Sequence, residues 1–138
     1  MLEPKKVKFR KPHRPRVPTK ATRCLSVSFG EYGLKSVSSG WITNRSIEAA
    51  RRVMVRYIRK GGKIWIRVFP DRIITAKPNI VPMGKGKGTI DRYVADVKRG
   101  QVLFEISGVS RDKAIEALTK AGHKVKVRTK VVSRMSIV

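Results

Sequence analysis

Acidic residues are scarce in this sequence. The chain of 138 residues has 9 Asp and Glu against 33 Lys and Arg, which gives a formal net charge of +24. An isolated globule with that charge would repel itself, so we expect the native state to have a polyanion beside it. The imbalance argues against a free-standing metabolic enzyme, although a hydrophobic content of 41% is enough to build one small core.

Cysteine and histidine are nearly absent as well. Cys24 is the only cysteine, which excludes an intramolecular disulfide and a cysteine-based zinc site. His13 and His123 lie far apart and outside any metal-ligand spacing. The carboxylates are scattered along the sequence, and no set of residues suggests a Ser-His-acid or Cys-His catalytic centre. We therefore predict no catalytic residues, no metal, no cofactor and no small-molecule substrate.

Long apolar runs and aromatic side chains are missing too. No stretch approaches the roughly 20 apolar residues that cross a bilayer, so we expect no membrane partner. Aromatic residues make up 7% of the chain, too few for a protein that binds single strands mainly by stacking bases. The N-terminus has no apolar signal segment, and its prolines would break the helix of a transit peptide. We expect the chain to stay in the compartment where it is made.

Residues 1–23 are predicted to form a basic N-terminal arm. They contain four prolines and few large apolar residues, so they cannot bury enough area to offset their chain entropy. We interpret the arm as extended by itself and ordered only against a partner, with a solvated tail as the alternative. Its candidate phosphate contacts are Lys5, Lys6, Lys8, Arg10, Lys11, His13 and Arg14.

The clearest helix is predicted at residues 44–60, with Thr43 or Asn44 as its cap and Gly61-Gly62 as its end. Its apolar face consists of Ile47, Ala50, Met54, Tyr57 and Ile58. A cluster of arginines without an acid is predicted on the opposite side, whereas a solvated face normally mixes Glu with Lys. This cluster consists of Arg45, Arg52, Arg56 and Arg59. We interpret it as a phosphate-binding face, with a merely soluble face as the alternative.

A strand is predicted at residues 63–69, with Ile64, Ile66 and Val68 on one face. The other face consists of Lys63, Trp65, Arg67 and Phe69. Basic and aromatic residues on one face are typical of a nucleic-acid platform. Packing of the two aromatic rings in a core is an equally good interpretation, because a strand covered on both faces has the same pattern.

Residues 78–89 have no helical or strand period and are predicted to form a flexible loop. Gly84, Gly86 and Gly88 alternate with Lys85 and Lys87, so two ammonium groups can approach a polyphosphate closely. The stretch does not satisfy the Walker A pattern or the dinucleotide fingerprint. We interpret it as a basic loop that reaches along an RNA backbone, with a simple hairpin connection as the alternative.

The other segments complete a small α+β core. Two short strands about a turn are predicted within residues 25–37, a short return strand at 72–77, and a hairpin of strands 92–98 and 102–107 around Arg99-Gly100. A second helix is predicted from a Ser110 cap to about Ala121, with Ala114, Ile115 and Leu118 inward. In a last strand Val125, Val127 and Val131 alternate with four cations. These cations are Lys124, Lys126, Arg128 and Lys130.

Five blocks of this sequence resemble the bacterial-type large-subunit ribosomal protein sixteen family, in order and with similar spacing from residue 1 to about 131. The blocks are Met1-Leu-Glu-Pro-Lys-Lys-Val-Lys-Phe-Arg-Lys11, Ser28-Phe-Gly-Glu-Tyr-Gly-Leu34, Trp41-Ile-Thr43 with Ile47-Glu-Ala-Ala-Arg-Arg52, Gly62-Lys-Ile-Trp-Ile-Arg-Val-Phe-Pro-Asp71 and Met83-Gly-Lys-Gly-Lys-Gly88. The resemblance includes the start of the chain, so we expect a protein of the ribosome in the bacterial cytoplasm, or in a mitochondrion or plastid that encodes it.

The resemblance implies a fold and a set of partners. The family fold is a two-layer α+β sandwich of two helices against a mostly antiparallel or mixed sheet, with an N-terminal extension and a long loop. Residues 24–134 would then be a single RNA-binding domain, with residues 135–138 as a tail. The partners implied are large-subunit ribosomal RNA, neighbouring ribosomal proteins and tRNA near the peptidyl transferase centre, and family members join late in subunit assembly.

The resemblance also implies a partner, ribosomal RNA or tRNA, for each group of candidate residues. The cations of the arm, the helix and the last strand, with Lys63 and Arg67, would bind ribosomal RNA. The tRNA-proximal loop would consist of Lys77, Met83, Gly84, Lys85, Gly86, Lys87 and Gly88. Two departures are Pro82, where many members have arginine, and the proline-rich stretch from Arg14 to Cys24. Two other classes stay open: a free-standing nucleic-acid chaperone or DNA-compacting protein, and a phosphate-handling enzyme built on Gly84–Gly88.

Overall fold

The computed structural model describes residues 1–14, 16 and 20–135. Along the chain these form the strands β1 (Tyr32–Ser36) and β2 (Gly40–Thr43), the helix α1 (Asn44–Ile58), the strands β3 (Lys63–Ile66), β4 (Arg72–Ala76), β5 (Thr89–Val97) and β6 (Val102–Ser107), the helix α2 (Arg111–Gly122) and the strand β7 (Thr129–Ser133). The predicted α+β class is therefore confirmed. Of the predicted tail, only Met135 lies within the described residues.

The strands form two sheets. One has the order β3-β6-β1-β7 and the other the order β2-β5-β4, and all five strand pairs are antiparallel. Helix α2 packs against β1, β6 and β7, while α1 packs against α2 and contacts β2, β3 and β5. Because α1 touches strands of both sheets, a single hydrophobic core joins them, with Ile42, Met54, Phe104 and Leu118 fully buried in it.

The predicted hairpin of strands 92–98 and 102–107 is wrong. The chain does turn there, since the Gln101 N–H donates to the Lys98 carbonyl at 3.2 Å and Gly100 has a φ of +95°. However, the Gly100 N–H donates to the Ser36 carbonyl, and the Ser36 N–H donates to the Gln101 carbonyl, both at 2.8 Å. This exchange directs the chain towards β1, so β6 pairs with β1 while β5 stays in the other sheet.

The N-terminal half of the core differs from its prediction in two places. Only Tyr32–Ser36 is a strand within residues 25–37, because the backbone N–H groups of residues 28–30 bind a side chain rather than a neighbouring strand. Strand β2 at Gly40–Thr43 was not predicted, and its four residues are too few to show a period.

The helices begin and end close to their predicted limits. Thr43 caps α1, with its Oγ1 accepting from the Ser46 N–H at 3.2 Å, but the helix ends at Ile58, two residues early. Ser110 stands at the N-cap of α2 without a side-chain cap hydrogen bond, which corrects its predicted role. Ile115 is only half-buried, and the buried face of α2 consists of Ala114, Ala117, Leu118 and Ala121.

Candidate nucleic-acid interface

The basic arm has neither helix nor strand in its described part, in agreement with its proline content. All seven of its predicted contact residues are exposed: Lys5, Lys6, Lys8, Arg10, Lys11, His13 and Arg14. Leu2 packs against the core, so the arm is attached at its first residues. The arm also contacts the loop of residues 77–88: Lys11 Nζ donates to the Lys87 carbonyl at 3.0 Å, and Lys87 Nζ donates to the Pro12 carbonyl at 2.5 Å.

The arginine face of α1 is exposed as predicted, at Arg45, Arg52, Arg56 and Arg59. The prediction that it contains no acid is wrong. Arg52 Nε donates to Glu48 Oε1 at 3.2 Å, and Arg51 donates to both oxygens of the same carboxylate at 2.6 and 2.9 Å. The hydrogen bond from Arg51, the largest cause, lowers the pKa of Glu48 to about 2. The signal was available in the sequence, because Glu48 precedes Arg52 by four residues and so lies on the same side.

The predicted platform on β3 is built around an aromatic pair. The rings of Phe29 and Trp65 stack with centroids 6.3 Å apart and planes inclined by 20°. Neither Trp65 nor Phe69 belongs to the hydrophobic core, and Phe29 and Phe69 are 58% and 48% exposed. Ile64 and Ile66 pack against the core from the other face, as predicted. The alternative that both predicted rings are core residues is therefore wrong.

Arg67, a predicted RNA contact, is engaged within the protein. Its guanidinium lies 4.8 Å from the centroid of the Phe29 ring, and its Nη1 donates to Glu105 Oε1 at 2.5 Å. Lys63, the first residue of β3, is exposed, whereas Arg67 lies just after β3, which ends at Ile66 and not at the predicted residue 69. On this surface the Lys63 ammonium group is therefore accessible to a ligand. The Arg67 side chain is only 16% exposed and holds the Phe29 ring of the platform in place.

Glu105 supports this surface and was not predicted from the sequence. Its side chain is fully buried, and its carboxylate accepts from the backbone N–H groups of Ser28, Phe29 and Gly30 at 3.2, 2.6 and 2.8 Å. Burial would raise the pKa of Glu105, but these N–H groups and Arg67 outweigh burial and hold the pKa below its ordinary value. The signal was a single acid in an otherwise apolar strand, Val102-Leu-Phe-Glu-Ile106, where a buried charge requires partners.

The glycine-lysine loop connects β4 and β5 and spans residues 77–88. Met83, Gly84, Lys85, Gly86 and Lys87 are exposed, while Lys77 and Gly88 are half-buried. The backbone stays in the left-handed region over three residues, with φ values of +106°, +57° and +98° at residues 84, 85 and 86. Lys77 Nζ donates to the Gly84 carbonyl at 2.5 Å, which closes the loop upon itself. The tip presents Ile80 and Met83, each more than 90% exposed.

Most of the last basic surface, residues 124–130, lies before β7, and only its Lys130 belongs to the strand. Regular strand begins only at Thr129, so Lys124, Lys126 and Arg128 lie in the irregular segment after α2. The predicted alternation is confirmed for two of its three valines: Val125 and Val127 are buried, Val131 is half-buried against the core, and all four cations are exposed. The buried valines anchor this segment to the core and leave the cations between them exposed.

The described residues contain no group of three or more His, Cys, Asp or Glu that could hold a metal ion. Cys24 is a free thiol whose Sγ lies 3.6 Å from Arg67 Nη2. Within residues 1–14, 16 and 20–135, no helix is both long and apolar enough to cross a membrane. The features that recur instead are exposed cations on four surfaces: the arm, the arginine face of α1, the glycine-lysine loop and the segment 124–130.

Comparison with known proteins identifies the family of this chain. Residues 4–132 match the family model of ribosomal protein L16p/L10e. The chain is 52% identical over 137 residues to the large ribosomal subunit protein uL16 of Listeria welshimeri, and the alignment covers 99% of this chain and 95% of the relative. The proteins of the same name from Listeria monocytogenes serotypes 4a and 4b match to the same extent. The chain therefore belongs to the ribosomal protein L16p/L10e family.

Proposed function

We propose that this protein is a structural constituent of the large ribosomal subunit that binds large-subunit ribosomal RNA through its four basic surfaces. The observation that supports this most directly is the exposure of almost every predicted cation on an ordinary small core. Among the described residues, Arg67 and Lys77 are the only predicted lysines or arginines that are half-buried, and the others are exposed. Arginine forks suit bidentate phosphate contacts and lysines act as point charges, so several sides of one folded RNA can be held at once.

The glycine-lysine loop contacts tRNA in this proposal, at the A site near the peptidyl transferase centre, with the P site as a second candidate. Its support is the combination of exposed ammonium groups, left-handed backbone and a contact to the arm through Lys87. Pro82 removes the contact that an arginine would make there, so Lys85 and Lys87 carry the charge of the tip. The protein contributes to late subunit assembly and to tRNA positioning and performs no catalysis of its own.

The domain organisation in this proposal is an arm of residues 1–23, a single RNA-binding domain of residues 24–134 and a short tail. The partners besides RNA are neighbouring proteins of the large subunit. The relatives compared above are from Listeria, which favours bacterial ribosomes in the cytoplasm over those of an organelle.

Sedimentation through a sucrose gradient tests the proposal. The full chain should travel with large subunits through moderate salt and dissociate steeply as salt increases, because each phosphate contact releases counterions. Recovery only in the ribosome-free supernatant would overturn the proposal. The chaperone or DNA-compacting alternative predicts equal affinity for duplex DNA and folded ribosomal RNA at one ionic strength, so a competition experiment separates the two. Nucleotide hydrolysis that disappears in Lys85→Ala would instead support the enzyme alternative.

A further inference from the structure

A cleft of about 770 Å³ lies between the end of α1 and one side of α2. No acidic residue lines the cleft. Its basic lining residues come from α1 and its C-cap, from α2 and from the segment after α2, and they are Arg56, Arg59, Lys113, Lys120, His123 and Lys124. All six are exposed, and none of them is in a salt bridge with another described residue. Lys113, Lys120 and His123 were not among the predicted contacts.

Helix dipoles explain only part of this arrangement. Arg56 and Lys120 lie in the last turns of α1 and α2, where the partial negative charge of a helix end favours cations. Lys113 lies in the first turn of α2, where the dipole disfavours a cation. Lys120 follows Lys113 by seven positions, or about two turns, so the two lie on one side of the helix and about 10 Å apart along its axis. The cations therefore follow the length of the cleft rather than a helix end.

The backbone of Arg59 supplies a second and independent observation. Arg59 ends α1 with φ of +49° and ψ of −131°, a conformation that strongly favours glycine, while its N–H still donates to the Val55 carbonyl at 3.0 Å. The sequence offers glycine two residues later, at Gly61, yet the strained position is an arginine that lines the cleft. Strain of this kind at a non-glycine residue is concentrated at functional sites.

The geometry points to this cleft as a binding site for several consecutive phosphates of the large-subunit RNA backbone. The inference rests on the proposed function and extends it with contacts from Lys113, Lys120 and His123. RNA is the source we commit to, because Arg56 and Arg59 belong both to the cleft and to the arginine face of α1, which makes the two surfaces continuous. Tyr57 also lines the cleft, and its hydroxyl is a donor for a phosphate oxygen.

Lysine labelling of the full chain tests this inference directly. An amine-reactive acylating reagent is applied to the protein alone, with large-subunit RNA, and with inorganic tripolyphosphate, and the labelled lysines are identified by mass spectrometry. Labelling of Lys113 and Lys120 should fall several-fold when RNA is bound. Protection by tripolyphosphate but not by RNA would overturn RNA as the ligand.

A charge-removal variant adds an energetic readout. Lys113→Gln with Lys120→Gln should weaken RNA binding roughly tenfold or more at low salt and lower the salt slope by about two. The matched control is Lys60→Gln with Arg134→Gln, two exposed cations outside the lining of the cleft and outside the four basic surfaces, which should leave both values near wild type. Both variants should melt as wild type does, because the side chains are exposed.

The outcomes separate the inference from the proposed function. If wild type binds large-subunit RNA while Lys113 and Lys120 stay fully labelled and the cleft variant behaves like its control, the cleft is not a phosphate site. The proposed function would then stand. If wild type fails to bind large-subunit RNA at all, the proposed function itself is overturned, and the inference is overturned with it.

Discussion

Arg67 and Glu105 form an ion pair at 2.5 Å in which the carboxylate is fully buried and the guanidinium reaches the surface. The same carboxylate binds three backbone N–H groups of residues 28–30, and the same guanidinium lies against the Phe29 ring. One buried acid thus holds both Arg67, which follows β3, and the loop of residues 28–30, which carries Phe29 of the aromatic platform. Gly30 is required at this loop, because a Cβ there would come within 2.7 Å of the Ile106 carbonyl oxygen.

Glu105→Gln should therefore destabilise the fold by about 3 kcal/mol, because it leaves Arg67 without its counter-charge and removes acceptors for buried N–H groups. Urea unfolding followed by Trp fluorescence measures the change. Glu116→Gln, which neutralises an exposed glutamate of α2, is the control and should change stability by less than about 0.5 kcal/mol. Equal unfolding midpoints for the two variants would contradict the structural role of Glu105.

Acid should destabilise the protein through Glu48 and Glu105. Each has a folded-state pKa below the ordinary value of 4.5, so the unfolded chain binds protons first as pH falls. The stabilisation is complete above about pH 4.5 and is lost as pH falls through the folded pKa, which for Glu48 is about 2. Melting temperatures between pH 6 and pH 2 at constant ionic strength should fall less steeply for Glu48→Gln than for wild type. An identical slope would contradict the assignment.

Reversal of Arg52 and Arg56 to Glu should abolish incorporation into the large subunit and leave the isolated fold nearly intact. Both side chains are exposed, and Arg52 forms an ion pair with Glu48 that the reversal would turn into a repulsion between two carboxylates on the helix surface. Pairs as exposed as this one contribute little to stability, so the helix should persist.

Gradient sedimentation and circular dichroism are the two measurements for this reversal. Arg111→Glu with Arg134→Glu makes the same change in charge outside the four surfaces, and should be incorporated far better. Collapse of the free Arg52/Arg56 variant would contradict the placement of these arginines.

The contact between the arm and the glycine-lysine loop predicts a difference between two neighbouring lysines. Lys87→Ala should loosen the arm, because it removes one of the two hydrogen bonds that join the arm to the loop, whereas Lys85→Ala should not. Limited trypsin digestion of the free proteins measures this as faster cleavage after Lys8 and Arg10 in the Lys87 variant, because the bonds after Lys11 and Arg14 precede proline and resist trypsin. Equal cleavage rates would mean that the loop does not hold the arm.

Periodicity and composition were sufficient for much of the molecule. The apolar face of α1, the Thr43 cap and the alternation of buried valines with cations at residues 124–130 follow from local patterns, and all are confirmed. The exposure of most candidate cations was equally predictable, because an unpaired lysine or arginine is rarely buried. The low acid content already indicated that these cations face a partner.

Pairing between distant segments could not be predicted in this way. A turn at Arg99-Gly100 is a local signal, but the choice of β1 rather than β5 as the neighbour of β6 depends on hydrogen bonds to Ser36. Likewise, the sequence shows an acid in an apolar strand without showing that Arg67 and residues 28–30 surround it.

By itself, therefore, the sequence determined the α+β class, the positions of both helices, the basic surfaces and the family. Only the tertiary structure decided that the strands divide into two sheets and that the Arg67 guanidinium is paired with the buried Glu105. It also decided that Lys113 and Lys120 line one cleft with Arg56 and Arg59. The physical reason is range: helix faces, caps and charge depend on residues a few positions apart. Sheet partners, buried ion pairs and clefts depend on contacts between residues tens of positions apart, which no local pattern encodes.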